Sequence, residues 1–196
     1  MTFSESDFAA ASRQEVVEQQ LSVAKTVLLQ AVDLIDNHLT SDDQLTIHSK
    51  YMPGSTIGKH LRHARDHYVL LLSCVKKPEA PRAFSYDTRI RNTPMETQRQ
   101  SAKESILETV AQLEEFIPNV NFDEEISLEA VTPYMHSFKT TIGREVWFAS
   151  LHCVHHWSMV RVIAGEIGIT LSDDFGFAPS TLVFNDKSAP LGKVKL

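Results

Sequence analysis

The stretch from Thr141 to Gly168 constrains the fold more than any other part of the sequence. It contains no proline, and its apolar residues keep a helical period for about seven turns. It ends in a glycine, the residue that most readily adopts the left-handed conformation that closes a helix. These features predict one long helix.

Three of the nine histidines lie inside this helix, within a single stretch of five residues. His152 and His156 are about 40° apart on the helical wheel, whereas His155 points well to one side. The other residues on the arc of His152 and His156 are Ala149, Met159 and Ile163. Two imidazoles one turn apart can bind one divalent metal ion, with a third ligand from elsewhere in the chain. The alternative is a pair of ordinary core histidines.

Two further helices are predicted in the first half of the chain. Residues 13–39 place apolar side chains at 3.6-residue spacing. The second helix begins after an N-cap at Ser55 or Thr56 and ends near Lys76, before a proline. Three more histidines lie along one edge of it: His60, His63 and His67. Two helices therefore carry six of the nine histidines, which strengthens the metal hypothesis.

The remaining segments complete an all-α pattern. Thr93 to Glu96 reads as a capping box that opens a third helix ending before Pro118. Residues 125–140 alternate like a short hairpin, and the tail 169–196 has no period, although its apolar residues are expected to pack on the domain. Four helices with long loops predict a four-helix bundle, without fixing the order of helix directions. We expect a single domain, 1–196, with its core in about 12–168.

Composition limits the class of partner. The 19 basic and 25 acidic side chains give a net charge of −6 without a basic stripe, which disfavours a nucleic-acid partner. No signal peptide and no run of 18 apolar residues occur, so we expect no membrane partner. Cys74 and Cys153 are too few for a disulfide framework, which fits a reducing, cytoplasmic compartment.

Several common catalytic sites are excluded by the motifs that the sequence lacks. HExxH and Glu-x-x-His do not occur, which excludes zincin and ferritin-like metal sites. Neither a glycine-rich phosphate loop nor a GxSxG elbow is present. A mononuclear site with His152, His156 and one histidine of the second helix remains. By the helical wheel, His60 and His67 lie nearer the apolar stripe than His63 does.

Two motifs give the chain a resemblance to the DinB-like superfamily of metal-binding four-helix bundles. The first is Thr56-Ile57-Gly58-x-x-Leu61-x-His63, and the second is Arg144-Glu145-Val146-Trp147-Phe148 followed by His152-x-x-x-His156. The resemblance covers about residues 12–168. The later segment FGFAPST is similar to the tail of one branch of the family whose activity is not established.

The resemblance implies a ligand set and a topology. It implies that His63, His152 and His156 hold a divalent metal, zinc, nickel or iron, with His60 and His67 beside them. A four-imidazole cage that includes His67 stays open. It also implies an up-down-down-up bundle. Relatives include thiol-dependent transferases and isomerases and a sulfoxide-forming oxidase domain, so a low-molecular-weight thiol is one expected substrate.

Other polar residues are candidates for supporting roles. Glu145 lies about 10 Å along the helix from His152, too far to bind the same ion, but it can act as an acid or base or pair with an arginine. Asp66 can orient a ligand. Arg89 and Arg91, on the loop 78–93, can bind a carboxylate or phosphate or be solvated surface.

The sequence leads to two functional hypotheses. The first is a metal-dependent enzyme, a transferase or a hydrolase, acting on a small molecule. The second is a non-catalytic bundle with a structural metal or an interaction role. Apolar surface left over on a bundle is compatible with a homodimer, although nothing in the sequence requires one.

Overall fold

A computed structural model of the protein describes residues 12–77 and 81–184. It contains the four predicted long helices: α1 (Arg13–Asp33), α2 (Ile57–Val75), α3 (Arg99–Phe116) and α4 (Ile142–Glu166). α1 continues as a π-helical turn, Leu34–His38, instead of the α-helix expected up to Leu39. The N-terminal segment 1–11 lies outside the described residues.

The four helices pack as a bundle in which α1 and α2 each contact both α3 and α4. Their buried apolar faces meet in one core, whose largest fully buried side chains are Trp157 and Tyr68. Trp157 Nε1 donates a hydrogen bond to the Val27 carbonyl oxygen at 2.7 Å, and Tyr68 Oη donates to Ser150 Oγ at 3.1 Å. These bonds join α4 to α1 and α2 inside the core. The up-down-down-up order stays a prediction.

A small sheet lies beside the bundle. Its strands are β1 (Ala83–Phe84), β2 (Glu125–Val131) and β3 (Met135–Thr141), in the order β1-β2-β3. β2 and β3 form the expected antiparallel hairpin, while β1 pairs in parallel with β2. β1 was not predicted, because two residues are too few to show an alternating pattern. β3 runs directly into α4, so the sheet is fixed to the helix with the second histidine cluster.

Side-chain caps fix the starts of three long helices: Ser12 caps α1, Thr56 caps α2 and Thr141 caps α4. Thr56 Oγ1 accepts from the Lys59 amide, and Thr141 Oγ1 accepts from the Arg144 amide, both at 3.2 Å. The predicted start of the third helix at Thr93 is wrong. There the capping box closes a 3₁₀ turn, Pro94–Glu96, and the extended backbone of Gln98 separates that turn from α3.

The segment after α4 is more regular than the sequence predicts. Residues 169–184 fold back on α4 and include a short helix, α5 (Pro179–Phe184), where an irregular tail was expected. Phe175 stacks on Trp157 with ring centroids 6.1 Å apart. Arg161 Nε donates a hydrogen bond to the carbonyl oxygen of Phe175 at 2.8 Å. The expectation for residues 185–196 concerns a segment outside the described residues.

No helix in the described parts of the chain has the combined length and hydropathy needed to cross a lipid bilayer.

Candidate metal centre

Five histidines meet where α2 packs on α4. His60, His63 and His67 come from α2, and His152 and His156 come from α4. The helical period places these residues toward the partner helix, and the contact between the two helices brings them together. The structure therefore joins the two histidine clusters that the sequence places almost a hundred residues apart.

One trio has the spacing of a metal site. His63, His67 and His152 each offer a ring nitrogen, and the three nitrogens lie within 4.8 Å of one another. The rings of His67 and His152 are closest, with centroids 3.9 Å apart. His67, expected beside the ligands or as a fourth imidazole, is thus placed among the candidate ligands.

The predicted ligand His156 lies next to this trio, in contact with His152 and His60. Its Nε2 is 3.0 Å from Nε2 of His152, and its Nδ1 is 2.7 Å from Nδ1 of His60. The ring centroid of His156 is 4.3 Å from that of His63. The other ring nitrogen of His60 is buried and has no hydrogen-bond partner in the described structure. His155, as predicted, faces away and is exposed.

The cluster consists of neutral imidazoles at physiological pH. Burial, reinforced by nearby positive charge, lowers the pKa of His63 and of His152 from the usual 6.5 to about 3. Burial likewise lowers the pKa of His60 and of His67 to about 4, and it holds the pKa of His156 further below its ordinary value. Neutral imidazole is the form that binds a metal, so these side chains need lose no proton to do so.

The arrangement fits a divalent metal ion. His67 Nδ1 lies 3.1 Å from the carbonyl oxygen of His63, and a carbonyl can only accept, so the proton is on Nδ1 and the lone pair is on Nε2. Two imidazole nitrogens on a tetrahedral zinc are about 3.3 Å apart, given bonds of roughly 2.0–2.1 Å. The 3.0 Å between His152 and His156 is near that value, and the first trio needs a modest contraction. The trio His63, His152 and His156 therefore stays a prediction, with His67 as the competing or fourth ligand.

The loop between β1 and the Pro94–Glu96 turn places one of its two arginines on this cluster. Arg89 Nη1 lies 2.6 Å from both ring nitrogens of His63, so the guanidinium rests against the imidazole and does not form a single in-plane hydrogen bond. Arg91 is exposed. The structure thus separates two residues that the sequence treats as a pair.

Glu145 is fully buried, and polar partners occupy both of its carboxylate oxygens. Oε1 accepts from Thr140 Oγ1 at 2.6 Å and from Arg144 Nη1 at 2.7 Å, while Oε2 accepts from Tyr86 Oη at 2.8 Å. The ring of Tyr86 in turn stacks on His67, with centroids 4.3 Å apart. Glu145 therefore holds the tyrosine against the histidine cluster, and the arginine with which it pairs is Arg144.

Asp66 pairs with two arginines of α2, Arg62 and Arg65. Its Oδ2 accepts from Arg62 Nη1 at 2.9 Å, and its Oδ1 is 3.4 Å from Arg65 Nη1. Arg62 Nε is also 2.9 Å from a carboxylate oxygen of Glu96. The arginine and both carboxylates are buried. In the described structure Asp66 thus pairs with arginines and forms no hydrogen bond to an imidazole, unlike the predicted role.

Sequence reasoning missed the aromatic side of the site. Tyr86 and Phe148 face each other with centroids 5.6 Å apart, and Phe148 also stacks on His152 at 5.6 Å. Tyr86 comes from a loop without any period, so no pattern marked it. Phe148 lies one turn before His152 on the same helix, and that i, i+4 spacing was a usable signal.

Four long helices with histidines that converge between two of them are the features by which the chain resembles the DinB-like superfamily, and the comparisons with known proteins agree. The family model for the DinB superfamily matches residues 20–160, and the chain belongs to that superfamily. FK506-binding protein 5 of Rhizopus delemar is 32% identical over 166 residues. That match covers 83% of this chain but 37% of the fungal protein, so the chain spans about a third of that relative. No solved structure matches.

Proposed function

We propose that this protein is a metal-dependent enzyme that acts on a small molecule, with one divalent cation held by histidines of α2 and α4. The observation that carries the proposal is the convergence of His63, His67 and His152, with one nitrogen of each within 4.8 Å. Imidazole ligands suit zinc, nickel and iron alike, so the donor set does not select among them.

Three protein ligands leave a coordination position for substrate or water, which is the layout of catalytic metal sites. A divalent ion there would supply Lewis acidity and lower the pKa of a bound water or thiol. The chain's own residues would shape the site around it. Tyr86 and Phe148 would form one aromatic side of the site, and Arg89 places a positive charge beside His63. A transferase that uses a low-molecular-weight thiol, or a hydrolase, is consistent with this arrangement.

A second function is favoured by one specific observation. His156 Nε2 lies 3.0 Å from His152 Nε2, a spacing at which both nitrogens can bind one ion, and His63 and His67 would then be the third and fourth ligands. Four imidazoles would fill a tetrahedral site and leave no position for substrate. In that case the metal is structural, and the protein is a non-catalytic bundle.

The first experiment is elemental analysis of the purified protein by mass spectrometry. We expect about one metal ion per chain in the wild type, as for any single three-histidine site. We expect loss of the metal in His63→Ala and full retention in His155→Ala, the matched control on the exposed face of α4. The result that overturns the proposal is a wild-type protein that neither carries nor takes up a divalent metal.

The same series identifies the third ligand. If His67→Ala loses the metal and His156→Ala retains it, the ligands are His63, His67 and His152. If His156→Ala loses the metal and His67→Ala retains it, the ligands are His63, His152 and His156. Weakened binding in both indicates the four-imidazole cage. A cobalt-substituted protein then tests access, because a thiol that enters the coordination shell changes the visible spectrum. An unchanged spectrum with all thiols tried argues for the structural role.

A further inference from the structure

Arg89 is a cation in an unusual position. Its guanidinium rests against His63, a ligand in both candidate metal trios. Its Nε is buried and has no hydrogen-bond partner in the described structure. Across residues 12–77 and 81–184, no carboxylate oxygen lies within 4.0 Å of it. A half-buried guanidinium without an anion is costly, because lost hydration is not replaced by a counter-charge.

The acidic groups near Arg89 are committed elsewhere. Asp66 accepts from Arg62, and Asp87 accepts from the amide of Val131 at 3.0 Å. Two other acids of this region are buried: Glu96 pairs with Arg62 as well, and Glu145 accepts from Tyr86, Thr140 and Arg144. Within the described residues, Arg62 therefore has two carboxylate partners and Arg89 has none in direct contact. This difference between two arginines that lie close to each other points to a ligand as the missing anion.

We propose that Arg89 binds a carboxylate group of the substrate and thereby selects small anionic substrates at the histidine cluster. The inference rests on the proposed function, which it deepens by naming the substrate class. A divalent cation on His63 and the guanidinium against the same ring would repel each other unless an anion lay between them. The planar fork of arginine matches a carboxylate with two parallel hydrogen bonds. The nearby rings of Tyr86 and Phe148 suit an apolar or aromatic body on that carboxylate.

The test compares benzoate with its neutral analogue benzamide and with inorganic phosphate on cobalt-substituted protein, and binding is followed by the visible spectrum and by calorimetry. We expect wild type to bind benzoate and to bind benzamide much more weakly. Arg89→Gln should weaken benzoate binding by about tenfold or more, since a charge-assisted pair contributes roughly 1.5–3 kcal/mol. Arg89→Lys keeps the charge but not the fork and should lie between the two. Arg91→Gln is the matched control, because it removes the same charge from an exposed position of the same loop.

Three results would overturn the inference. They are equal affinity for benzoate and benzamide, equal benzoate affinity in Arg89→Gln and Arg91→Gln, and a preference for inorganic phosphate over benzoate. Metal content is measured on every sample, so failure of the proposed function shows separately as protein without metal. In that event benzoate binding to the metal-free protein, lost in Arg89→Gln but not in Arg91→Gln, would still support the carboxylate site.

Discussion

Gly58 of α2 packs so closely against the backbone of Glu96 that its replacement by alanine should destabilise the protein. A Cβ atom at this position would lie 2.0 Å from the carbonyl oxygen of Glu96 and 2.6 Å from its carbonyl carbon. Both are backbone atoms, so no side chain can rotate away to make room. Gly58→Ala must therefore separate the N-terminal turn of α2 from the Pro94–Glu96 turn.

The expected cost follows from that contact. Overpacking a tight interior costs about 1–3 kcal/mol, and a backbone clash belongs at the upper end of that range. Alanine returns roughly 0.5–1 kcal/mol through its better helix propensity. The net loss of about 2 kcal/mol should lower the midpoint of thermal unfolding by about 4–8 °C for a domain of this size. Moving Glu96 would also disturb its 2.9 Å ion pair with Arg62, beside the histidine cluster.

Gly165→Ala is the matched control within α4. Beyond its chain neighbours and the adjacent backbone of its own helix, no heavy atom of the described residues lies within 4 Å of a Cβ built at Gly165, and the backbone of Gly165 is helical. The same substitution should therefore stabilise the protein by up to about 1 kcal/mol. The assay is thermal unfolding followed by circular dichroism on metal-free protein, so that metal affinity does not contribute. Equal changes in the two variants, or a stabilised Gly58→Ala, would refute the packing argument.

Three further predictions concern stability. Gly176→Ala should unfold at lower temperature, because its Cβ would lie 2.7 Å from the backbone of Trp157 and its φ is +73°; an unchanged midpoint would show that this turn does not pack on α4. Trp157→Phe should cost about 1–3 kcal/mol in denaturant unfolding, because it removes the indole donor to the Val27 carbonyl and leaves a cavity in place of part of the fully buried ring. A much smaller loss would mean that water or neighbouring side chains fill the space of the indole. The metal-free protein should lose stability as the pH falls from about 6.5 toward 3. Burial keeps the pKa of His63 and His152 at about 3, so the unfolded chain binds more protons in that window. Urea midpoints should fall across it, and a flat profile would contradict the burial of these rings.

The periodic features of the chain could be predicted from sequence, and they define the bundle. Four apolar stripes at 3.6-residue spacing give four helices, and the caps at Thr56 and Thr141 are local interactions that sequence encodes directly. His152 and His156, spaced i, i+4 on α4, indicate the site for the same reason. The prediction failed at Thr93, where the capping box closes a single 3₁₀ turn and does not open the third helix.

Tertiary structure alone decided which side chains surround the candidate metal. Whether His67 or His156 is the third ligand depends on how α2 and α4 are rotated against each other, and neither helix encodes that rotation by itself. Tyr86 and Arg89 reach the cluster from a loop whose course is set by β1 pairing with β2, a contact between residues far apart in sequence. The sequence alone determined the helices and the chemical nature of the ligands, because both are local properties. The distances that turn histidines into a site come from packing, which depends on the whole chain.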